Sequence, residues 1–306
     1  MRRCETGRIF DVRRFSTRDG GGIRTTVFFK GCPLRCAWCH NPEGISLQRR
    51  PVWFSGRCIG CGDCASSARD GGVRATGNGM TLDPRTREDW DALMDGCPTG
   101  ALRWDSRDVT ADELMVELRR DAAFFAHGGG VTLSGGDPLM QPDFAREILL
   151  RCRAEGIHTA VETELEAAWP VAEAVLECAD LIFADLKLMD PAMHRRYTGA
   201  DNARILENLR RLLGGELGAR TVVRTPLIPG VTATQENLAA IAIFLAEVRP
   251  EACYELLNYN PLAAAKYPLV GRRYLFEENP PRYTNVQMED FRALVRRCGI
   301  RNLICE

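Results

Sequence analysis

Three cysteines crowd one short stretch of this chain. Residues 31–43 read GCPLRCAWCHNPE, which spaces Cys32, Cys36 and Cys39 as C-x3-C-x2-C directly after the apolar run 23–29. Thiolate sulfur is the ligand that holds iron–sulfur clusters, and a cubane normally takes four of them. A loop that supplies three leaves one iron without a protein ligand. A substrate or cofactor can coordinate at such a corner, just as catalytic zinc sites keep one position free. The competing reading of the same spacing is a zinc ion completed by a distant fourth ligand.

A second set follows. Cys58, Cys61 and Cys64 form C-x2-C-x2-C, and Cys97, just before Pro98, comes after a long gap. Ferredoxin-type runs continue as C-x2-C-x2-C-x3-C-P, the last cysteine serving the other cluster where there are two. Here Ala68 holds the place of that cysteine. The arithmetic therefore favours one closed four-cysteine cluster suited to electron transfer, and a Cys4 zinc site would draw on the same residues. Segment 51–104 has many Gly and Arg and little apolar periodicity, so a metal of either kind is expected to support its fold. The other cysteines (Cys4, Cys152, Cys178, Cys253, Cys298 and Cys305) lack ligand spacing and read mostly as small buried hydrophobes.

Several elements must position these thiols. The chain has 306 residues and a formal net charge of −1, enough for an α/β barrel with an insertion and without a basic face for nucleic acid. Thirteen cysteines is an odd number, and the start MRRCETGRIF lacks the apolar core of a secretory signal. No apolar run reaches the roughly 20 residues that cross a bilayer. A cytoplasmic protein without membrane attachment is expected, with cysteine used for metal or packing. Segment 8–14 alternates and should pair with 23–30 through the glycine-rich link after Asp19. Thr110 and Glu113 spell a capping box opening a helix to about residue 125. Buried strands at 130–133, 158–163, 181–186, 220–227 and 254–258 then alternate with helices near 142–156, 169–177, 201–213, 234–248 and 287–298. That alternation predicts a parallel sheet, and six βα units are too few to close an eight-fold barrel.

In parallel barrels the working residues gather at the carboxyl ends of the strands. The candidates there are SGGDP over 134–138, Glu162 with Thr163, Asp185 with Lys187, Arg224 in VVRTPLIPG, and Asn260 in LLNYNPL. Glycine lets backbone approach a ligand closely. A carboxylate and an ammonium on neighbouring strand ends can orient a zwitterionic amino-acid moiety, and an arginine can take its carboxylate by a two-pronged hydrogen bond. Plainer roles fit as well: a tight strand-to-helix turn at 134–138, and a rim salt bridge for Glu162 or Lys187.

The triad, with Trp38 just before its last cysteine, resembles the radical S-adenosylmethionine (SAM) superfamily. The flanking DGGGIRTTVFFKGC over 19–32 and WCHNPEG over 38–44 resemble the glycyl-radical-enzyme activating enzymes, of the pyruvate formate-lyase activating type with a ferredoxin-like insert. The resemblance runs over nearly the whole chain. The family usually has Pro where this chain has Gly21, a departure that loosens the link. The resemblance implies a TIM-like partial (β/α)6 barrel formed by residues 1–50 and 105–306, open on one flank to a protein substrate, with 51–104 as a cluster-binding insert. It implies a 4Fe–4S cluster on Cys32, Cys36 and Cys39 whose open iron is chelated by SAM, and it places Trp38 among the cofactor-binding residues. Gly135, Gly136 and Asp137 match a GGEP-type segment, with Asp137 in place of the commoner Glu, and would contact the SAM amino group. Asp185 and Lys187 match a D-x-K element beside SAM, and Glu162, Thr163 and Asp185 match a monovalent-cation region. Arg224 would meet the SAM carboxylate and Asn260 the adenosine. A second 4Fe–4S cluster would lie on Cys58, Cys61, Cys64 and Cys97, where relatives with this insert often look as if they hold two.

The implied activity is that of an activase. An electron from the reduced cube breaks the sulfonium bond of SAM, giving methionine and a 5′-deoxyadenosyl radical that removes hydrogen from a glycine Cα of a partner enzyme. Flavodoxin or ferredoxin would supply the electron to a monomeric activase. Two alternatives stand beside it: a radical SAM enzyme acting on a small molecule, and a ferredoxin-like electron carrier. The carrier accounts for Cys58 to Cys97 but not for the open triad or SGGDP.

Overall fold

The computed structural model describes residues 5–77, 79–276 and 280–304. β1 (Thr6–Ser16) and β2 (Arg24–Phe29) form an antiparallel hairpin, and β3 (Arg107–Thr110) pairs antiparallel with the outer side of β1. From β2 onward the sheet is parallel: β4 (Gly130–Gly135), β5 (Thr159–Thr163), β6 (Leu181–Asp185), β7 (Thr221–Pro226), β8 (Cys253–Leu257) and the short β9 (Asn302–Ile304). The order β9-β8-β7-β6-β5-β4-β2-β1-β3 ends on two edges, so the sheet does not close. The α-helices of eight or more residues among those described are α1 (Ala111–Arg119), α2 (Pro142–Ala154), α3 (Trp169–Leu176), α4 (Pro191–Thr198), α5 (Ala203–Gly214), α6 (Gln235–Val248) and α7 (Asn285–Arg297). The six expected parallel strands are all present; β3, β9 and α4 were not anticipated.

Local chemistry explains the elements. Every residue of β2 is buried, as befits a strand covered on both faces. Asp19 and Arg24 secure the glycine link that precedes it: Thr26 Oγ1 donates to the Asp19 carboxylate at 2.7 Å, Thr132 Oγ1 to the Asp19 carbonyl at 2.8 Å, and Arg24 Nη1 to the Gly21 carbonyl at 3.4 Å. The Thr110–Glu113 capping box is present. The helix it opens stops after Arg119, because the buried carboxylate of Asp121 accepts from Thr25 Oγ1 at 2.7 Å and Arg14 Nε at 2.8 Å; a separate turn, Ala122–Phe125, follows.

Strand alternation divides the interior in two. Val131, Val161, Ile182 and Val223 join the main apolar core with Ile148, Val175, Leu209 and Ile241 from the helices. On the opposite face Ala160, Phe183 and Val222 make a small separate cluster, and in register with it come Glu162, Asp185, Arg224 and Glu255. The apolar core thus lies between sheet and helices, and the charged positions face inward at the carboxyl ends.

Within 51–104, Pro51–Trp53 pairs with Leu102–Trp104, and Val73–Thr76 with Gly79–Leu82, around an apolar cluster of Val73, Trp90, Leu93 and Leu102. Cys152 and Cys178 are buried, Cys253 and Cys298 partly so; Cys4 and Cys305 lie outside the described residues. No helix among the described residues is long and apolar enough to cross a membrane.

A buried ion pair holds together the two stretches of chain from which this segment leaves and to which it returns. The Lys30 ammonium, at the end of β2, donates to Asp105 at 2.6 Å and to the Glu43 carbonyl at 2.7 Å, and Asp105 also accepts from the Arg50 amide at 3.1 Å. The two side chains are 0% and 3% exposed, so removing one leaves an uncompensated buried charge. Asp105→Ala should destabilise the protein by about 3–5 kcal/mol, measured as a shift in urea unfolding. Replacing the pair together with Lys30→Met and Asp105→Leu should cost less than that single change, and a larger loss in the double variant would refute this account.

Candidate active site

Cys32, Cys36 and Cys39 sit in a loop without helix or strand, so its backbone groups need partners elsewhere. Gly31 N donates to the Gly44 carbonyl at 2.7 Å and Cys32 N to that of Ile45 at 3.0 Å. Arg35 N reaches the Thr198 carbonyl at 2.7 Å and Ala37 N that of Tyr197 at 2.8 Å. These acceptors are the last carbonyls of α4, which a helix leaves unpaired. Sequence reasoning missed α4 although its signals are local: Asp190 as N-cap, Pro191 at the first position and Gly199 at φ +85° as C-cap.

SGGDP closes against the same loop. Gly136 N donates to the Phe29 carbonyl at 2.8 Å and Asp137 N to that of Gly31 at 2.7 Å. A Cβ at Gly136 would lie 2.1 Å from the Gly31 oxygen; at Gly135, where φ is +115°, it would lie 2.3 Å from Phe29 N. Gly136 is therefore required by the approach of the cysteine loop, and Gly135 by the end of β2. Asp137 is buried behind them, accepting from Leu139 N at 2.9 Å, Glu164 N at 3.0 Å and Thr163 Oγ1 at 3.0 Å. Burial pushes its carboxyl up to about 6 against the pull of these donors.

A cavity of about 270 Å³ opens at the carboxyl ends of the strands. Cys36, Trp38 and Cys39 form one wall; Gly135, Gly136, Glu162 and Thr163 a second; Asp185, Lys187, Arg224 and Asn260 the rest. Cys32 and Asp137 are not part of the lining. Trp38 is buried among Leu188, Ile228, Val231 and Tyr259, and Asn260 Oδ1 accepts from Leu262 N at 3.1 Å. The lining also holds Ser134 of SGGDP, and Glu164 and His40, to which the sequence reading gave no role. For Glu164 a signal existed: residues 162 and 164 share a face by strand alternation.

Buried charges cross-link the strand ends. Arg224 donates to Glu162 at 2.6 Å, stands 3.2 Å from Glu255, and lies 4.4 Å from the Phe183 ring centre. Lys187 donates to Asp185 at 2.8 Å and to Glu164, and Glu162 also accepts from the Ser134 hydroxyl. Burial raises the carboxyls of Glu162 and Glu164, the latter to about 7. Burial works against the Lys187 ammonium, but Asp185 and Glu164 hold its pKa well above the usual value. Burial also pushes Cys36 and Cys39 up, Cys39 to about 11, so metal binding there must displace protons.

Cys58, Cys61, Cys64 and Cys97 line one small pocket together with Trp53 and Met80. Burial pushes the Cys97 thiol up, but the amides of Leu102, Thr99 and Ala101 outweigh it and hold the thiol below its ordinary value. Among the described residues no three His, Cys, Asp or Glu side chains converge where one metal ion could sit. A zinc ion draws its sulfurs to about 2.3 Å from one centre, whereas a cluster takes each thiolate on a different iron. Both donor sets consist of thiols alone, which is the chemistry an iron–sulfur cluster takes.

Because three donors converge on Asp137, Asp137→Asn would turn an amide N–H toward one of them. A loss of about 1–3 kcal/mol in unfolding free energy is expected, with poorer iron retention as the cysteine loop loosens. Unchanged stability and iron content would refute this structural role.

The radical SAM superfamily profile matches residues 26–241. The chain is 38% identical over 307 residues to the indoleacetate decarboxylase activating enzyme of Tractidigestivibacter scatoligenes, covering 97% of this chain and 96% of that one. It is 39% identical over 274 residues to the isethionate sulfite-lyase activating enzyme of Oleidesulfovibrio alaskensis, covering 88% of each. A solved domain of a pyruvate-formate lyase-activating enzyme from Bacteroides vulgatus superposes with a TM-score of 0.48 at 30% identity, covering 58% of this chain and 98% of that domain. With a thiol triad at the mouth of an open parallel sheet and relatives matched along almost their whole length, this chain belongs to the radical SAM superfamily and, within it, to the glycyl-radical-enzyme activating enzymes.

Proposed function

We propose that Cys32, Cys36 and Cys39 hold the 4Fe–4S cluster that the superfamily implies, and that the cavity beside them binds SAM for activation of a partner glycyl radical enzyme. The observation that carries this reading is the thiol wall of Cys36 and Cys39 facing an ion-paired wall of strand-end residues across one cavity. When bound, the reduced cluster supplies the electron that splits SAM to methionine and a 5′-deoxyadenosyl radical, which takes hydrogen from a glycine Cα of the partner.

The chain's own residues bind and orient. Gly135 and Gly136 bring backbone up to the amino-acid end of the ligand, and Arg224 offers its guanidinium to a carboxylate in exchange for part of its hold on Glu162. Asp185 and Lys187 flank that end, while Trp38 and Asn260 stand on the side proposed for the adenosine. Four carboxylates (Glu162, Glu164, Asp185 and Glu255) surround two cations, Lys187 and Arg224. The acidic surplus supports binding of a positively charged sulfonium, and of a monovalent cation near Glu162, Thr163 and Asp185. The recessed position of the site keeps water from a reactive intermediate.

Residues 51–104 are proposed as a separate unit carrying a second 4Fe–4S cluster on Cys58, Cys61, Cys64 and Cys97. Their shared pocket and the amides directed at Cys97 support this reading. The insert cluster relays electrons from flavodoxin or ferredoxin or helps dock the partner. The chain is read as a cytoplasmic monomer working anaerobically, with the unclosed edge of the sheet giving a protein substrate its access.

Anaerobic reconstitution should give about eight irons per chain, the sum of two four-iron cubes. Cys36→Ala should reduce 5′-deoxyadenosine formation from SAM to background. Cys61→Ala should retain the active cube and lose the other, halving the iron. Full deoxyadenosine production by Cys36→Ala would overturn the assignment. Electron paramagnetic resonance of a candidate partner after incubation tests the substrate: absence of a glycyl radical, with deoxyadenosine still formed from SAM, would favour a small-molecule substrate.

A further inference from the structure

Two tryptophans lie on the small sheet formed by Pro51–Trp53 and Leu102–Trp104, and their indole N–H groups are treated differently. Trp104 Nε1 donates to Asp91 at 2.6 Å. Trp53 Nε1 is buried and meets no acceptor. A buried donor without a partner is uncommon in native proteins and marks a missing ligand or a strained site.

The surroundings of Trp53 point to the partner. Its side chain lines the pocket shared by Cys58, Cys61, Cys64 and Cys97. It pairs across the sheet with Leu102, whose amide donates to Cys97 Sγ at 3.5 Å. The ring is also held from outside: a Cβ at Gly79 would lie 2.1 Å from Trp53 Cη2, so only glycine lets the Gly79–Leu82 strand close over the indole. A rigid ring with an unspent donor forms part of a wall whose other polar groups are largely sulfur ligands.

We infer that Trp53 donates its indole N–H to a sulfur of the cluster held by Cys58, Cys61, Cys64 and Cys97, and so raises that cluster's reduction potential. This rests on the reading of those four cysteines as cluster ligands. Reduction adds negative charge to the cluster, and a donor aimed at its sulfur stabilises the reduced form; hydrogen bonds to sulfur are among the factors that set such potentials. Trp53 is a positioning and tuning residue, and it does not touch the reacting atoms at the other cluster.

The test is Trp53→Phe, which keeps an aromatic ring and removes the N–H, made in the Cys36→Ala background so that the insert cluster dominates the spectrum. Iron content should be unchanged, and the midpoint potential from a titration followed by electron paramagnetic resonance should move negative. A tenfold change in the reduction equilibrium corresponds to about 59 mV for one electron. An unmoved potential with iron retained overturns the inference. If the variant loses its iron, the unsubstituted Trp53 answers instead. With tryptophan isotopically labelled at the indole nitrogen, electron–nuclear double resonance should show hyperfine coupling from that nitrogen on the reduced cluster, and its absence overturns the inference. Should the Cys36→Ala protein give the same iron count with and without Cys61→Ala, the cluster reading itself fails and takes this inference with it.

Discussion

The loop that carries Cys32, Cys36 and Cys39 forms no helix or strand, so most of its backbone groups must find partners outside it, and that constraint shapes the molecule around it. Amides of the loop are taken up by the turn at Gly44 and Ile45 and by the end of α4, while its Gly31 carbonyl accepts from the Asp137 amide within SGGDP. Each anchor belongs to a different part of the sheet-and-helix frame. The thiols therefore inherit the rigidity of the barrel, which is what a site needs when its geometry must hold while a ligand enters and leaves.

The same constraint accounts for residues that look as if they belong to the ligand. Gly136 lacks a side chain because the Gly31 carbonyl occupies the space. Asp137 ties Thr163 and Glu164 to the segment that carries Gly136, linking the cysteine loop to the end of β5. Beyond that link the strand ends are joined by charge, with Arg224 between Glu162 and Glu255 and Lys187 between Asp185 and Glu164. Buried ion pairs contribute little net stability over well-packed apolar residues. Their concentration on the inward face, where Ala160, Phe183 and Val222 stop, is better understood as preparation for a charged ligand than as structural support.

How far this was legible in the sequence depended on where each residue's partner lay. The triad, the parallel strands and the Thr110 cap are written in local spacing, and the structure contains them. The break at Asp121 was not readable, since it depends on Thr25 and Arg14 across the hairpin. The double duty of Gly135 and Gly136 was hidden for the same reason: their neighbours are near Phe29 and Gly31, about a hundred residues away in the chain. α4 is the instructive case, because its cap, proline and terminal glycine were all present. Only eight residues long and with just His194 and Thr198 buried, it has almost no apolar stripe, and a search led by hydrophobic period passes over it.

The two cysteine sets place opposite demands on their surroundings. Cys36 and Cys39 are recessed in a cavity walled by ion pairs, whereas Cys61 is exposed. The Lys30–Asp105 pair links the chain around the two sets: Lys30 lies at the end of the strand that launches the cysteine loop, and Asp105 also receives the Arg50 amide just before residues 51–104. A buried charge pair at that point fixes where residues 51–104 leave and rejoin the frame, which gives this costly interaction a reason to sit where it does.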